Sequence, residues 1–146
     1  MEQSVVDFIQ CKKIAVVGVS RGGKKFGNRI YAELKQRGYQ VLAINPQAEE
    51  INGIPCYPNL AAVQNKVDGV VICIPPAQVA PVLQEAASCG IRNVWLQTGA
   101  SSPELVALAD KLGLNVVSGK CIMMYATPVR SVHSYHRFFA RLFGRL

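Results

Sequence analysis

Arg21, Lys24 and Lys25, with Arg29 one turn further on, crowd a glycine-bearing stretch, IAVVGVSRGGKKFGN (residues 14–28), and that combination is the chemistry of anion binding. Gly18 permits a tight turn after an apolar run. Ser20, Gly22 and Gly23 are expected to leave backbone amides free to point at an anion. The helix that should follow adds the positive end of its dipole. The stretch is neither of the two common phosphate loops: Ser20 stands where the middle glycine of G-x-G-x-x-G belongs, and G-x-x-x-x-G-K-[ST] is absent. The alternative, a glycine-rich turn with ordinary solvated lysines, stays open on these residues alone.

A second position narrows the ligand. An NAD site expects Asp or Glu at the end of the second strand, to hold the adenosine ribose hydroxyls. Here that residue is Asn45, followed by Pro46 and Gln47, and the next carboxylate is Glu49. An amide tolerates a phosphate that a carboxylate would repel, so NADP or coenzyme A fits and NAD fits poorly.

Reactive groups are scarce. His133 and His136 lie far along the chain from the glycine stretch. Cys121 follows Gly119-Lys120, and a lysine beside a cysteine is one way of activating a thiol. A nucleophilic cysteine also wants a base, and none stands near it in sequence. The competing reading is an inert thiol. The residues speak for binding more clearly than for reaction.

These groups need elements to position them. KKIAVVGV (12–19), YQVLAIN (39–45), DGVVICIP (68–75), RNVWLQ (92–97) and LNVVSG (114–119) read as five strands, apolar on both faces. FGNRIYAELKQRG (26–38), AQVAPVLQEAASCG (77–90) and SSPELVALADKLG (101–113) read as helices, the last with a Ser cap and Pro103 in its first turn. Residues 46–66 are weakly patterned, with a short helix expected near 59–65. Strand, helix, strand, repeated, predicts an α/β fold: a doubly wound, mostly parallel five-stranded Rossmann-like sheet with helices on both faces. Ligands in such folds sit outside the carboxyl ends of the strands. Those ends read Gly18-Val19-Ser20, Asn45-Pro46-Gln47, Ile74-Pro75-Pro76, Gln97-Thr98-Gly99 and Gly119-Lys120-Cys121. Small residues and prolines at all five let backbone approach a ligand closely.

Composition sets the outer limits. The 146 residues are half hydrophobic, enough for one substantial core. No apolar run approaches the ~20 residues that span a bilayer, and MEQSVVDFIQCKK lacks the pattern of an export leader. Five cysteines without a C-x-x-C suggest free thiols in a reducing, cytoplasmic setting and no structural zinc. The net charge of +7 would suit nucleic acid, a membrane surface or a polyphosphate ligand. Aromatics interleave with basic residues only at the C-terminus, which argues against nucleic acid for the body of the chain. There, PVRSVHSYHRFFARLFGRL (128–146) reads as a basic amphipathic helix, with Val132, Tyr135, Phe139, Leu142 and Leu146 as its apolar stripe. Such a stripe can pack on the domain, join a second copy into a homodimer, or dock on an anionic membrane. The expected division is a domain over 1–127 and a tail over 128–146.

KIAVVGVS, GYQVLAINP, VDGVVICIPP, VWLQTG and GKCIMM, in that order and each at a strand tip, resemble the CoA-binding-domain proteins. These are small stand-alone Rossmann-like proteins similar to the CoA-binding domain of the succinyl-CoA synthetase alpha subunit. The resemblance spans residues 12–124. It implies that Gly18, Ser20 and Arg21 meet the phosphates of coenzyme A and that Asn45 and Pro46 border the adenosine; the residues themselves add Lys25 as a further cation for the phosphates. Pro75 and Gln97 would line the route of the pantetheine arm; Cys121, at the fifth strand tip, is expected from its position near the thiol. Gln47 stands where the family often has a lysine, which removes one candidate cation. The synthetase's phosphohistidine domain has no counterpart in this sequence, so the resemblance implies binding of CoA or an acyl-CoA and withholds synthetase activity. An NADP-dependent oxidoreductase, and a docking module whose nucleotide pocket is regulatory, remain the alternatives.

Overall fold

The structure is a computed structural model that describes residues 2–20 and 25–128. Arg21, Lys24 and the tail from residue 129 onward lie outside the described residues, so the expectations placed on them have no structural counterpart here.

The strands run β1 (Lys13–Val17), β2 (Gln40–Ile44), β3 (Glu50–Ile51), β4 (Ile54–Tyr57), β5 (Gly69–Ile72), β6 (Asn93–Leu96) and β7 (Asn115–Ser118). They form one sheet in the order β3-β4-β2-β1-β5-β6-β7, parallel except for the β3–β4 pair. The α/β doubly wound prediction holds, with seven strands in place of five. The two additional strands form a hairpin joined by Asn52 and Gly53, both with positive φ (51° and 82°). That is the backbone a two-residue hairpin turn requires, and Asn-Gly is its commonest sequence. Pro55 within β4 and Pro58 just after it break up the alternation by which a strand would be recognised. The expected short helix is a 3-10 turn over Leu60–Val63, capped by the Asn59 side chain, which accepts from the Ala62 amide.

Every other strand is shorter than its apolar run, because the tip residues turn toward the sheet's carboxyl edge. Val16, Val71, Trp95 and Val117 face α1 (Gln3–Ile9) and α2 (Phe26–Gln36), whereas Ala15, Val70, Ile72, Val94 and Leu96 face α3 (Val79–Ser88) and α4 (Pro103–Lys111). Burial on both faces is why these strands are continuously apolar. The helix expected from residue 77 starts instead as a 3-10 turn, Pro76–Gln78, before α3 takes over. Ser102 caps α4 as anticipated, accepting from the Leu105 amide at 3.2 Å.

The N-terminal helix α1 was not legible in the sequence: it has seven residues and only two fully buried side chains, Val5 and Phe8. Phe8 meets the edge of Trp95 with ring centroids 5.3 Å apart. After β7 the chain turns at the tips through a 3-10 turn, Ile122–Met124, and then runs down the sheet between α1 and α2. Arg37 Nη1 donates to the carbonyls of Met123 and Ala126, and the Tyr39 hydroxyl donates to Thr127 O at 2.8 Å. Thr127 is therefore held beside the amino end of β2, at the opposite end of the sheet from the strand tips.

Candidate functional site

A cleft of about 630 Å³ opens at the carboxyl ends of β1, β2 and β5, where the strand order reverses on either side of β1. Gly18, Ser20, Lys25, Asn45, Pro46 and Pro75 line it together with Gln47, Cys73 and Glu85. Six of the nine site residues expected from the sequence are thus gathered in one depression. This is the place where doubly wound sheets bind their ligands.

Two glycines bring the walls together. Gly18 has φ +121°, and a Cβ there would lie 2.6 Å from the Cys73 carbonyl oxygen, so the β1 tip closes directly onto the β5 tip. A Cβ at Gly27 would lie 2.4 Å from the Gly18 carbonyl oxygen. The first turn of α2 therefore rests on the backbone of the β1 tip. Close helix-to-strand packing is the task of the last glycine in the dinucleotide fingerprint. Gly27 performs it here from a longer spacing, which is why motif matching passed over it.

The loop after β1 is held by side chains rather than left open. The Ser20 amide and hydroxyl both donate to Asn28 Oδ1, at 2.9 and 3.1 Å, and Asn28 Nδ2 donates back to Ser20 O at 2.9 Å. This corrects the expectation of a free Ser20 amide: Asn28, on the first turn of α2, has taken it. Asn45 has a similar part across the cleft. Its Nδ2 donates to Val19 O at 2.9 Å while its Oδ1 accepts from the Gln47 amide at 2.7 Å. A carboxylate at position 45 could not donate to Val19, so the amide couples the tips of β1 and β2 besides sparing a phosphate from repulsion.

Charge in the cleft is mixed. Lys25, the N-cap residue of α2, lines the cleft and makes no side-chain cap hydrogen bond, so the amino end of the helix begins at the cleft's edge. Glu85 supplies a carboxylate from α3, away from the strand tips where the sequence points, and its Oε1 accepts from the Leu60 amide at 2.8 Å. Burial, with the nearby Cys121 adding to it, pushes the Cys73 thiol up to about 12. Cys73 is therefore a neutral wall residue at physiological pH.

A second cavity of about 320 Å³ lies between the tips of β5 and β6, and it shares Cys73, Ile74 and Pro75 with the first. Phe26, Pro76, Gln97, Thr98, Gly99 and Ala100 complete its walls. Gln97 is 1% exposed; its Oε1 accepts from the Ile122 amide at 3.1 Å, while its Nε2 has no hydrogen-bond partner among the described residues. A buried donor left unpaired costs ~1–3 kcal/mol. Cys121 lines neither cavity: it is half-buried, in the turn that Gln97 holds through Ile122. Among the described residues no group of three His, Cys, Asp or Glu is placed to hold a metal, and no helix is long and apolar enough to cross a membrane.

A doubly wound sheet with a glycine-shaped, amide-clamped cleft at its switch point is a Rossmann-like architecture. Residues 12–127 match the family model described as CoA binding domain, and the chain belongs to that family. It is similar to the ADP-forming acetate–CoA ligase I of Archaeoglobus fulgidus, with 29% identity over 136 residues, and to the alpha subunit of the ADP-forming acetate–CoA ligase II of Pyrococcus furiosus, with 28% identity over 126. These alignments take in 86% and 79% of this chain but only 20% and 28% of the relatives. Among solved structures, a conserved hypothetical protein from Pyrococcus furiosus superposes with a TM-score of 0.73 at 37% identity, over 77% of this chain and 97% of that one.

Proposed function

We propose that the chain binds coenzyme A or an acyl-CoA at the strand tips and catalyses no reaction by itself. The observation that carries this is the cleft at the switch point, where the amino end of α2 and Lys25 meet a carboxylate-free β2 tip. A polyphosphate at that end finds backbone donors and a cation, and Asn45 does not repel it. Membership of the CoA-binding family and the acetate–CoA ligase activity named for the relatives support the choice of CoA over another phosphate ester. The titratable groups of the cleft favour binding over chemistry. Among the described lining residues they are Lys25, Cys73 and Glu85. The thiol is protonated, and the carboxylate is engaged with the Leu60 amide.

Titration calorimetry tests this. CoA is expected to bind more tightly than NAD or NADP. Binding of NADPH without CoA would overturn the proposal in favour of an oxidoreductase.

A further inference from the structure

Gln78, Val82 and Glu85 line the larger cleft at i, i+4 and i+7, so one side of α3 and of the turn before it forms a cleft wall. Asn59 and Leu60 line it from the 3-10 turn opposite. The half-buried Glu85 side chain crosses from the first wall to the second, where Oε1 accepts from the Leu60 amide at 2.8 Å. Holding that amide takes one oxygen and no charge. The other oxygen, Oε2, has no hydrogen-bond partner among the described residues.

The cleft's charges are divided between the two faces of the sheet. The helix that follows Lys25, α2, packs on the face of Val16 and Val71, whereas α3 and Leu60 pack on the face of Ala15 and Val70. A ligand lying across the tips of β1, β2 and β5 therefore meets a cation on one side and a carboxylate on the other. An ionised carboxylate accepts hydrogen bonds and donates none, and it repels phosphate. The Glu85 side thus suits an uncharged group that donates. Ile44, Pro58, Leu60 and Val82 make the neighbouring wall apolar, as the faces of a flat ring require. We propose that this α3 side of the cleft is the base pocket and that Glu85 selects the base, Oε2 accepting from the 6-amino group of adenine. The inference rests on the CoA assignment and adds a direction and a selectivity to it. Phosphates lie toward α2 and adenine toward α3, and a 6-oxopurine is disfavoured because its O6 would meet the carboxylate oxygen with no proton between them. The other uncharged part of CoA, the pantetheine arm, has its own way out past Cys73, Ile74 and Pro75, the wall shared with the smaller cavity.

Calorimetry with three ligands tests this: CoA, its analogue with unsubstituted purine in place of adenine, and its hypoxanthine analogue. On the unmodified chain CoA is expected to bind roughly tenfold or more tightly than the purine analogue, the effect of one hydrogen bond to a charged acceptor. The hypoxanthine analogue should bind more weakly still. Glu85→Gln keeps an acceptor for the Leu60 amide, which fixes which way round the new side chain sits, and exchanges the free oxygen for an amide donor. In that variant the hypoxanthine analogue should bind more tightly than CoA. Because the ligands are compared within one variant, a general loss of stability cancels. Equal affinity for CoA and the purine analogue on the unmodified chain would overturn the base pocket while the CoA assignment stood. The parent order of affinities persisting in Glu85→Gln would do the same. If none of the three bound, the CoA assignment and the base pocket would fall together.

Discussion

Replacing Gly27 with alanine sets two effects of opposite sign against each other. Alanine is the better helix former, and within a helix the exchange normally gains ~1 kcal/mol. At Gly27 the new methyl would sit 2.4 Å from the Gly18 carbonyl oxygen and 2.7 Å from its carbon, where ordinary contact begins at 3.4 Å. One wall or the other must yield by about an ångström. Neither is a flexible side chain: Gly18 is itself pressed on the Cys73 backbone, and Gly27 belongs to the first turn of α2. Overpacking against such walls costs ~1–3 kcal/mol, and the rigidity argues for the upper end. Subtracting the propensity gain leaves a net loss of about 2 kcal/mol, a fall in Tm of roughly 4–8 °C for a domain of this size. The same displacement moves Lys25 and the amino end of α2 away from the cleft. Losing one charge-assisted hydrogen bond there weakens CoA binding about tenfold or more. Urea unfolding and calorimetry on Gly27→Ala read both numbers. Gly90→Ala is the control, since its φ is +75° but a Cβ there meets nothing; it should lose ~1–2 kcal/mol and keep its affinity. A Gly27→Ala protein as stable as the parent, with unchanged affinity, would refute the account of how α2 is seated.

Alkaline pH should unfold the protein through its buried thiols. The Cys73 thiol is raised from its ordinary 9.0 to about 12, so between those values the folded chain keeps a proton that the unfolded chain has lost. Stability is then complete below about pH 9 and falls as pH climbs toward 12, by up to ~1.4 kcal/mol per pH unit for this group. Urea midpoints for Cys73→Ala should decline less steeply over that window, and parallel curves would contradict the assignment. We further expect the basic stretch 128–146 to pack on the domain, join a second copy of the chain or dock on an anionic membrane, and to act apart from the cleft; Thr127, just before its start, is held at the opposite end of the sheet. Removing residues 129–146 should leave CoA affinity unchanged while lowering Tm, changing the sedimentation mass or abolishing vesicle binding; loss of CoA affinity would contradict that separation.

The apolar runs around Val16, Val71, Val94 and Val117 announced their strands because a strand buried on both faces has no polar position to interrupt it. Once those strands were in order, the parallel topology placed Gly18, Asn45, Pro75 and Gln97 at one edge, and the candidate cleft was legible from their types. Local chemistry also gave the Ser102 cap and the glycine turn, since each depends on neighbours along the chain. Other features depend on residues far apart in sequence. Asn52-Gly53 carried a hairpin signal, but β4 forms only because β2 offers it an open edge. The bond from the Gln97 side chain to the Ile122 amide joins residues 25 apart, and Arg37 reaches the Met123 carbonyl across 86. Gly27 became a packing residue because Gly18 lies beneath it, and Asn28 took up the Ser20 amide because α2 enters at that angle. A residue type tells which contacts its atoms can make; which of those contacts is made, and which group is left over for a ligand, is set by distances that exist only once the sheet has closed.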